Sequence, residues 1–250
     1  MFCLDDHATF ASPLNRTGIA THESETVGVG CFTLCVLKLL LDLLLPTRCA
    51  GCGALGAACC RACVGVWGGL REVTRTPTAG LVRVFALARY QGVARRLLIA
   101  YKERGRRDLA PALGHALAEA LLALPGIGPP LCLVPAPSRR AASRARGGPH
   151  VDRLADVAAQ NLAGRGHEVA VAPALGVAGV RDAVGLGRAE RVANLAGRIR
   201  FRGDARPPPG SAVVVLDDVV TTGATAAACV RALETEGIEV GAVLTLLAAG

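Results

Sequence analysis

Two adjacent acids and a threonine-rich turn follow an apolar run near the C-terminal end of the sequence. Asp217 and Asp218 come directly after the apolar residues 212–216, and Thr-Thr-Gly-Ala-Thr occupies positions 221–225. Successive backbone N–H groups in such a turn, with the positive end of a helix behind them, form a cradle for an anion. Gly223 lets the backbone close on a phosphate because it carries no Cβ. The turn therefore predicts a phosphate-binding site.

The two acids extend this prediction. Carboxylates beside a phosphate are suited to accept hydrogen bonds from sugar hydroxyls or to hold Mg²⁺, and phosphate, diol and metal together describe a ribose 5-phosphate. The simpler alternative is an acidic loop followed by a helix that Thr222 caps, although a cap requires neither the paired acids nor a third hydroxyl. The residues of the predicted site are Asp217, Asp218, Thr221, Thr222, Gly223, Ala224 and Thr225.

Four of the ten cysteines form two Cys-x-x-Cys pairs, Cys49 with Cys52 and Cys60 with Cys63. Each pair places two thiolates on a tight turn, and two such turns facing each other form a tetrahedral site. Zinc is the expected occupant, and it would be structural because the protein fills all four positions. Two alternatives stay open: Cys59 as a ligand in place of Cys60, and buried thiols without a metal.

The elements that position these residues alternate between strand and helix after residue 70. Strands are indicated at 81–90, 131–134, 169–172, 199–201, 212–216 and 240–247, and helices at 92–103, 109–123, 150–163, 185–197 and 222–236. This alternation predicts an α/β fold with a mostly parallel sheet. Ligands of such sheets bind at the carboxyl ends of the strands, which is where the acid pair lies.

The sequence of 250 residues has room for one domain and a small appendage. Residues 1–30 lack periodicity and are predicted to be a disordered tail, 31–70 an amphipathic helix plus the cysteine site, and 71–250 the α/β domain. The apolar run 31–45 is shorter than the roughly 20 residues of a membrane span. The first residues carry acids where a secretory signal has a basic region. We therefore expect a soluble, cytoplasmic protein with no membrane span.

The formal net charge is +8, and arginine supplies nearly all of the positive charge because Lys38 and Lys102 are the only lysines. Arginine binds phosphate well, which favours an anionic partner, although compositional bias accounts for much of the excess. Aromatic residues make up only 3% of the chain, which argues against nucleic-acid binding through stacking. Lys102 is a candidate phosphate contact, and the solvated end of a helix is the simpler interpretation.

The segment 213–225 closely resembles the phosphoribosyl-pyrophosphate (PRPP) signature of type I phosphoribosyltransferases. Further motifs extend the resemblance to residues 39–247. Over that range the chain resembles the ComF family of competence protein F-like proteins. These motifs are the cysteine site, Tyr-Lys-Glu-Arg-Gly at 101–105, Val-Pro-Ala-Pro at 134–137, Arg-Ala-Arg-Gly at 144–147, and Leu186, Glu190, Arg191 and Asn194.

The resemblance implies a type I phosphoribosyltransferase sheet preceded by a zinc knuckle, with PRPP and Mg²⁺ as ligands. Asp217 and Asp218 would be the catalytic acid pair that binds the ribose hydroxyls, and residues 221–225 would bind the 5-phosphate. Arg139 and Arg140 would contact the pyrophosphate, and residues 181–191 would form a mobile loop over PRPP. The implied activity is transfer of the phosphoribosyl group to a nitrogenous acceptor in nucleotide metabolism.

Two departures from the family pattern bear on catalysis. The usual Arg-Gly-Phe-Asn-Gln run is Arg-Gly-Gly-Pro-His at 146–150, and Ala183 stands near the place of a frequent glutamine. Two other functions stay open: a PRPP sensor without turnover, and a competence protein that binds single-stranded DNA. The intact acid pair argues against a pure DNA binder, whereas the altered run at 148–150 favours the sensor over full activity. The arginines that a DNA strand could contact are Arg95, Arg96, Arg104, Arg106, Arg107, Arg139, Arg140, Arg144 and Arg146.

Overall fold

A computed structural model describes residues 47–137, 148–178 and 198–250 of the chain. The predicted tail, the predicted amphipathic helix before residue 46 and the predicted helix 185–197 lie outside the described residues. So do Arg139, Arg140 and the predicted mobile loop 181–191. Residues 47–250 form one compact unit, and the cysteine site belongs to it.

The described helices and strands follow one another in a largely alternating order. The helices are α1 (Arg61–Val64), α2 (Gly92–Glu103), α3 (Ala110–Leu122), α4 (His150–Ala163) and α5 (Ala224–Glu234). The strands are β1 (Arg71–Glu72), β2 (Val84–Arg89), β3 (Leu131–Pro135), β4 (Val169–Val171), β5 (Leu175–Val177), β6 (Ile199–Phe201), β7 (Ala212–Val220) and β8 (Val240–Ala248). Short 3₁₀ helices span Gly65–Trp67, Thr76–Thr78, Arg107–Leu109 and Gly203–Ala205.

Six strands form one sheet in the order β1-β2-β8-β7-β3-β4, and β5 pairs with β6 in a separate antiparallel ribbon. In the main sheet only β1 runs antiparallel to its neighbour. Strand β3 and residues 212–216 of β7 are continuous apolar runs, as expected of strands that helices cover on both faces. The predicted α/β fold with a mostly parallel sheet is confirmed.

Helices cover both faces of the sheet. The apolar sides of α2, α3 and α4 pack with Leu133, Val214 and Leu216 in one core cluster. Helix α5 packs with Val213 and Val215 in a second cluster on the other face. Alternate residues of β7 thus enter opposite clusters, because successive side chains of a strand point to opposite faces.

The direction of the connections reverses between β3 and β7. The chain leaves β3 through α4 and enters β4, which lies on the far side of β3 from β7. It leaves β7 through α5 and enters β8, which lies on the far side of β7 from β3. In open α/β sheets ligands bind in the crevice at such a reversal, outside the carboxyl ends of the strands. The two strands that flank it are followed by Ala136 and by the predicted phosphate turn.

Two differences from the predicted element bounds concern the acid pair and the turn after it, and one described strand was not predicted. Strand β7 continues through the acid pair to Val220, because β8 keeps pairing with it to the pair Val220–Ala248. Helix α5 begins at Ala224, two residues later than predicted, because Gly223 has a left-handed φ of 83° that ends the turn. Strand β5 was not predicted. In the described parts of the chain, no helix is long and apolar enough to cross a membrane.

Candidate functional site

The acid pair lies just beyond the point where the pairing of β3 with β7 ends. The ladder between β3 and β7 ends at the pair Pro135–Leu216, whereas β8 pairs with β7 beyond that point. Asp217 and Asp218 are the next two residues of β7, so they stand at the carboxyl end of the β3–β7 crevice. Asp218 is only 5% exposed and Asp217 is half-buried. The predicted pair therefore occupies the position where the topology places a ligand.

Asp218 is held by two side chains from different helices. His150 Nε2, at the first residue of α4, lies 2.7 Å from Asp218 Oδ2, and Lys102 Nζ, in the last turn of α2, forms an ion pair with the same oxygen. Burial opposes ionisation of Asp218, but the hydrogen bond from His150 and the charge of Lys102 outweigh it. They hold the pKa of this carboxyl well below its usual range. Asp218 is therefore an ionised, fixed acid.

Asp217 has the opposite character. Burial, followed by the charge of the neighbouring Asp218, raises the pKa of the Asp217 carboxyl to about 7. Its Oδ1 accepts a hydrogen bond of 2.7 Å from the Asp218 backbone N–H. This bond favours the ionised form, but it lowers the pKa by less than burial and the Asp218 charge raise it. A nearby donor or cation from a ligand would restore its charge. Two adjacent acids thus differ in ionisation because, among the described residues, only Asp218 has basic partners in direct contact.

The turn after β7 is the predicted phosphate-binding segment, and we call residues 221–225 the anion cradle. Gly223 has a φ of 83° and is buried, and a Cβ there would lie 2.8 Å from Arg75 Cβ. Thr222 is exposed, and its hydroxyl accepts a hydrogen bond of 3.3 Å from the Ala224 backbone N–H. That contact also fits the simpler interpretation of Thr222 as a cap. The acid pair beside the turn, of which Asp218 is buried, is not explained by a cap.

Arg75 holds the anion cradle from outside. Its Nε donates to the Thr221 carbonyl at 2.6 Å, and its Nη2 donates to the Ala249 carbonyl. Thr221 follows β7 and Ala249 follows β8, so a single guanidinium ties the ends of two neighbouring strands. These bonds fix the start of the cradle, and nothing in the sequence distinguished Arg75 from the other arginines.

The four predicted metal ligands lie together. The Sγ atoms of Cys49, Cys52, Cys60 and Cys63 are all within 4.8 Å of one another, and those of Cys52 and Cys60 are 3.5 Å apart. Four sulfurs at about 2.3 Å from a tetrahedral zinc are about 3.8 Å apart, a separation that falls between these two distances. The donor set and its spacing therefore fit one structural zinc ion.

The local backbone also suits a metal site. The Cys60 N–H lies 3.4 Å from Cys49 Sγ. Burial raises the pKa of the Cys49 thiol, but backbone N–H groups of Cys60, Cys52 and Gly51 lower it to about 6, toward the thiolate form that binds metals. The cluster contains Cys60, which resolves the choice between Cys59 and Cys60. Burial raises the pKa of Cys59 to about 11, so this neighbour remains a thiol.

The cysteine cluster is joined to the sheet domain. Cys49, Cys63 and Trp67 belong to the same core cluster as α2, α3 and α4. Arg96 Nε of α2 donates to the Gly51 carbonyl at 2.6 Å, and a Cβ on Gly51 would lie 2.8 Å from Cys63 Sγ. Loss of a metal bound by these cysteines would therefore disturb the main core.

No protein-family model matches this chain. No curated protein matches it either.

Sequence reasoning found the acids, the turn and the cysteines, but it missed the partners of Asp218. The interpretation of Lys102 as a solvated helix end is wrong, because its side chain is only 27% exposed and pairs with a buried acid. Its rarity in an arginine-rich chain was the signal available. His150 stood out only as part of the altered run at 146–150, and nothing in the sequence indicated its contact with Asp218.

Proposed function

We propose that the protein binds PRPP and acts as a phosphoribosyltransferase of the ComF type. The observation that carries this proposal is the position of the acid pair and the anion cradle at the connection reversal between β3 and β7. The cradle would take the 5-phosphate through its backbone N–H groups, and Asp217 and Asp218 would accept hydrogen bonds from the ribose hydroxyls. This division gives each half of a ribose 5-phosphate a chemically matched partner.

The proposed reaction is displacement at the anomeric carbon. The bond from C1 to the pyrophosphate oxygen breaks with its electron pair leaving on pyrophosphate, while a nitrogen of the acceptor bonds to C1 and releases its proton. Such a reaction depends on electrostatic stabilisation and positioning more than on a protein nucleophile. The negative charge at Asp217 and Asp218 would stabilise the positive charge that develops on the ribose.

Two metal ions belong to the proposal. Mg²⁺ binds oxygen ligands and commonly joins carboxylates to substrate phosphates, so Asp217, which has no basic side chain in direct contact within the described residues, is a suitable carboxylate for it. When bound, Mg²⁺ would neutralise the departing pyrophosphate. Zinc in the cysteine cluster would be structural, because four thiolates leave no open position.

Calorimetric titration with PRPP and Mg²⁺ tests the proposed function. Wild-type protein is expected to bind PRPP, and Asp217→Asn and Asp218→Asn are each expected to weaken binding about tenfold or more, since each removes a charged hydrogen-bond acceptor. Thermal unfolding of the same variants controls for loss of structure, above all for Asp218→Asn, which leaves Lys102 without its counter-charge. Wild-type protein that does not bind PRPP would contradict the proposal. Release of pyrophosphate with candidate nitrogen acceptors then separates an enzyme from a sensor.

Binding of single-stranded DNA is a second candidate, favoured by the charge distribution. Residues 47–110 contain twelve Lys or Arg and only three Asp or Glu. Several of these arginines are exposed around the cysteine cluster and α2, and the Arg95 guanidinium lies 5.5 Å from the centre of the Tyr90 ring. The exposed arginines of this basic surface are Arg48, Arg61, Arg95, Arg96 and Arg104.

A salt titration tests the second candidate. If the basic surface binds DNA, affinity for an oligo-dT strand should fall by a slope of about 0.7 in log–log units for each phosphate contacted. The double variant Arg95→Ala/Arg104→Ala should reduce that slope and leave PRPP affinity unchanged. Absence of oligo-dT binding at low salt would exclude this function.

A further inference from the structure

Three elements meet at one oxygen of Asp218. Lys102 comes from the last turn of α2, His150 from the first residue of α4, and Asp218 from β7. Both partners contact Oδ2, so together they restrict the rotation of the carboxylate. The Asp218 and His150 side chains are each only 8% exposed. A buried carboxylate with two basic partners is a constrained group and not a mobile surface acid.

His150 is itself held in place. Tyr101, the residue before Lys102, donates a hydrogen bond of 2.9 Å from its hydroxyl to the His150 carbonyl. The Tyr101 and His150 rings also meet edge to face with centres 6.4 Å apart. Tyr101 therefore holds His150 and the adjacent Lys102 holds Asp218. The end of α2 thus sets the relative positions of these two partners.

The group formed by Lys102, His150 and Asp218 makes more contacts than neutralisation of the Asp218 charge requires. Lys102 alone would neutralise Asp218, yet the fold also buries His150, whose Nδ1 has no hydrogen-bond partner in the described structure. A buried nitrogen without a partner costs free energy. The fold tolerates this cost because the other ring nitrogen, Nε2, forms the hydrogen bond to Asp218 Oδ2.

We propose that Lys102 and His150 are positioning residues that hold Asp218 by Oδ2 and so present Oδ1 to a ribose hydroxyl. The inference rests on the proposed function and deepens it. Lys102 and His150 act through Asp218 and make no contact with the sugar. They set the discrimination between sugars that carry the hydroxyl and sugars that lack it.

The test compares ligands of equal charge, because removal of Lys102 would alter the affinity for any anion. Ribose 5-phosphate and its 2-deoxy and 3-deoxy analogues each carry one phosphate, so the ratios of their dissociation constants cancel that general effect. Wild-type protein should bind ribose 5-phosphate about tenfold or more tightly than at least one analogue. A ratio of that size corresponds to the free energy of one hydrogen bond to a charged group. Lys102→Met and His150→Leu should each reduce that preference to near one.

Conservative and matched variants separate positioning from general damage. His150→Gln and Lys102→Arg keep a donor for Oδ2 and should restore most of the preference. Arg104→Met removes a positive charge from an exposed residue at the end of α2 and should leave the preference unchanged. His150→Leu retains the Lys102 ion pair, so it supplies the measurement if Lys102→Met does not fold.

The outcomes distinguish this inference from the proposed function. A preference that survives in folded His150→Leu protein would overturn the positioning role and leave the proposed function standing. Wild-type protein that binds neither PRPP nor any of the three sugar phosphates would overturn both. Loss of the preference in His150→Leu together with its recovery in His150→Gln would establish the positioning role.

Discussion

Cys60→Ser protein is expected to lose its zinc, whereas Cys59→Ser protein should keep one equivalent. The two substitutions alter adjacent thiols in the same way, but only Cys60 Sγ lies with those of Cys49, Cys52 and Cys63. Zinc content measured on purified protein by a metal assay checks this result. Equal zinc content in the two variants would contradict the four-cysteine assignment.

The loss of zinc should also destabilise the whole domain. Structural zinc sites contribute about 10 kcal/mol or more of binding free energy, and domains are stable by only about 5–15 kcal/mol. Cys49 and Cys63 share the main core with α2 and α3. Loss of the metal would therefore destabilise these helices as well as the cysteine site. Thermal unfolding of Cys60→Ser should begin far below that of Cys59→Ser, and a chelator should have the same effect on wild-type protein.

A glycine pair provides a further control on this site. A Cβ on Gly51 would meet Cys63 Sγ at 2.8 Å, whereas a Cβ on Gly65 would meet nothing within 4 Å. Gly51→Ala should therefore weaken zinc retention, and Gly65→Ala should not. The comparison tests the packing of the cluster without altering any thiol.

Much of the fold follows from local patterns in the sequence. Helices α2 and α4 lie at the predicted residues 92–103 and 150–163, because their apolar periodicity and their bounding residues agree. The cysteine cluster could be predicted because Cys-x-x-Cys spacing itself determines which sulfurs share a turn. Strand β7 was predicted too short, because its last residues are stabilised by pairing with β8, a contact between distant segments.

The candidate site could be predicted only where its chemistry lies within one segment. The acid pair and the turn are contiguous in sequence, and their residue types identify them. Lys102, His150 and Arg75 reach the same place from other elements, and their roles depend on the order of strands in the sheet. An isolated lysine or histidine in a helix has many other uses, so their function appears only when α2, α4 and β7 are assembled.

Gly223→Ala is expected to abolish most of the affinity for ribose 5-phosphate, whereas Gly237→Ala should leave that affinity intact. Both glycines have a left-handed φ, 83° and 71°, so both substitutions carry a similar conformational cost of about 1–2 kcal/mol. Gly237 has nothing within 4 Å of an added Cβ, while Gly223 would meet Arg75 Cβ at 2.8 Å. Only Gly223→Ala therefore forces a neighbour to move.

The displaced neighbour is the residue that holds the anion cradle. Movement of Arg75 would break its bonds to the Thr221 and Ala249 carbonyls, so the turn would lose the support that aims its N–H groups. We expect Gly223→Ala to lower the free energy of unfolding by about 1–3 kcal/mol more than Gly237→Ala, the usual cost of overpacking. We also expect it to weaken ribose 5-phosphate binding at least about tenfold. Denaturant unfolding and calorimetry on the two variants check both effects. Equal losses of stability and of affinity would show that backbone strain, and not the contact with Arg75, governs the turn.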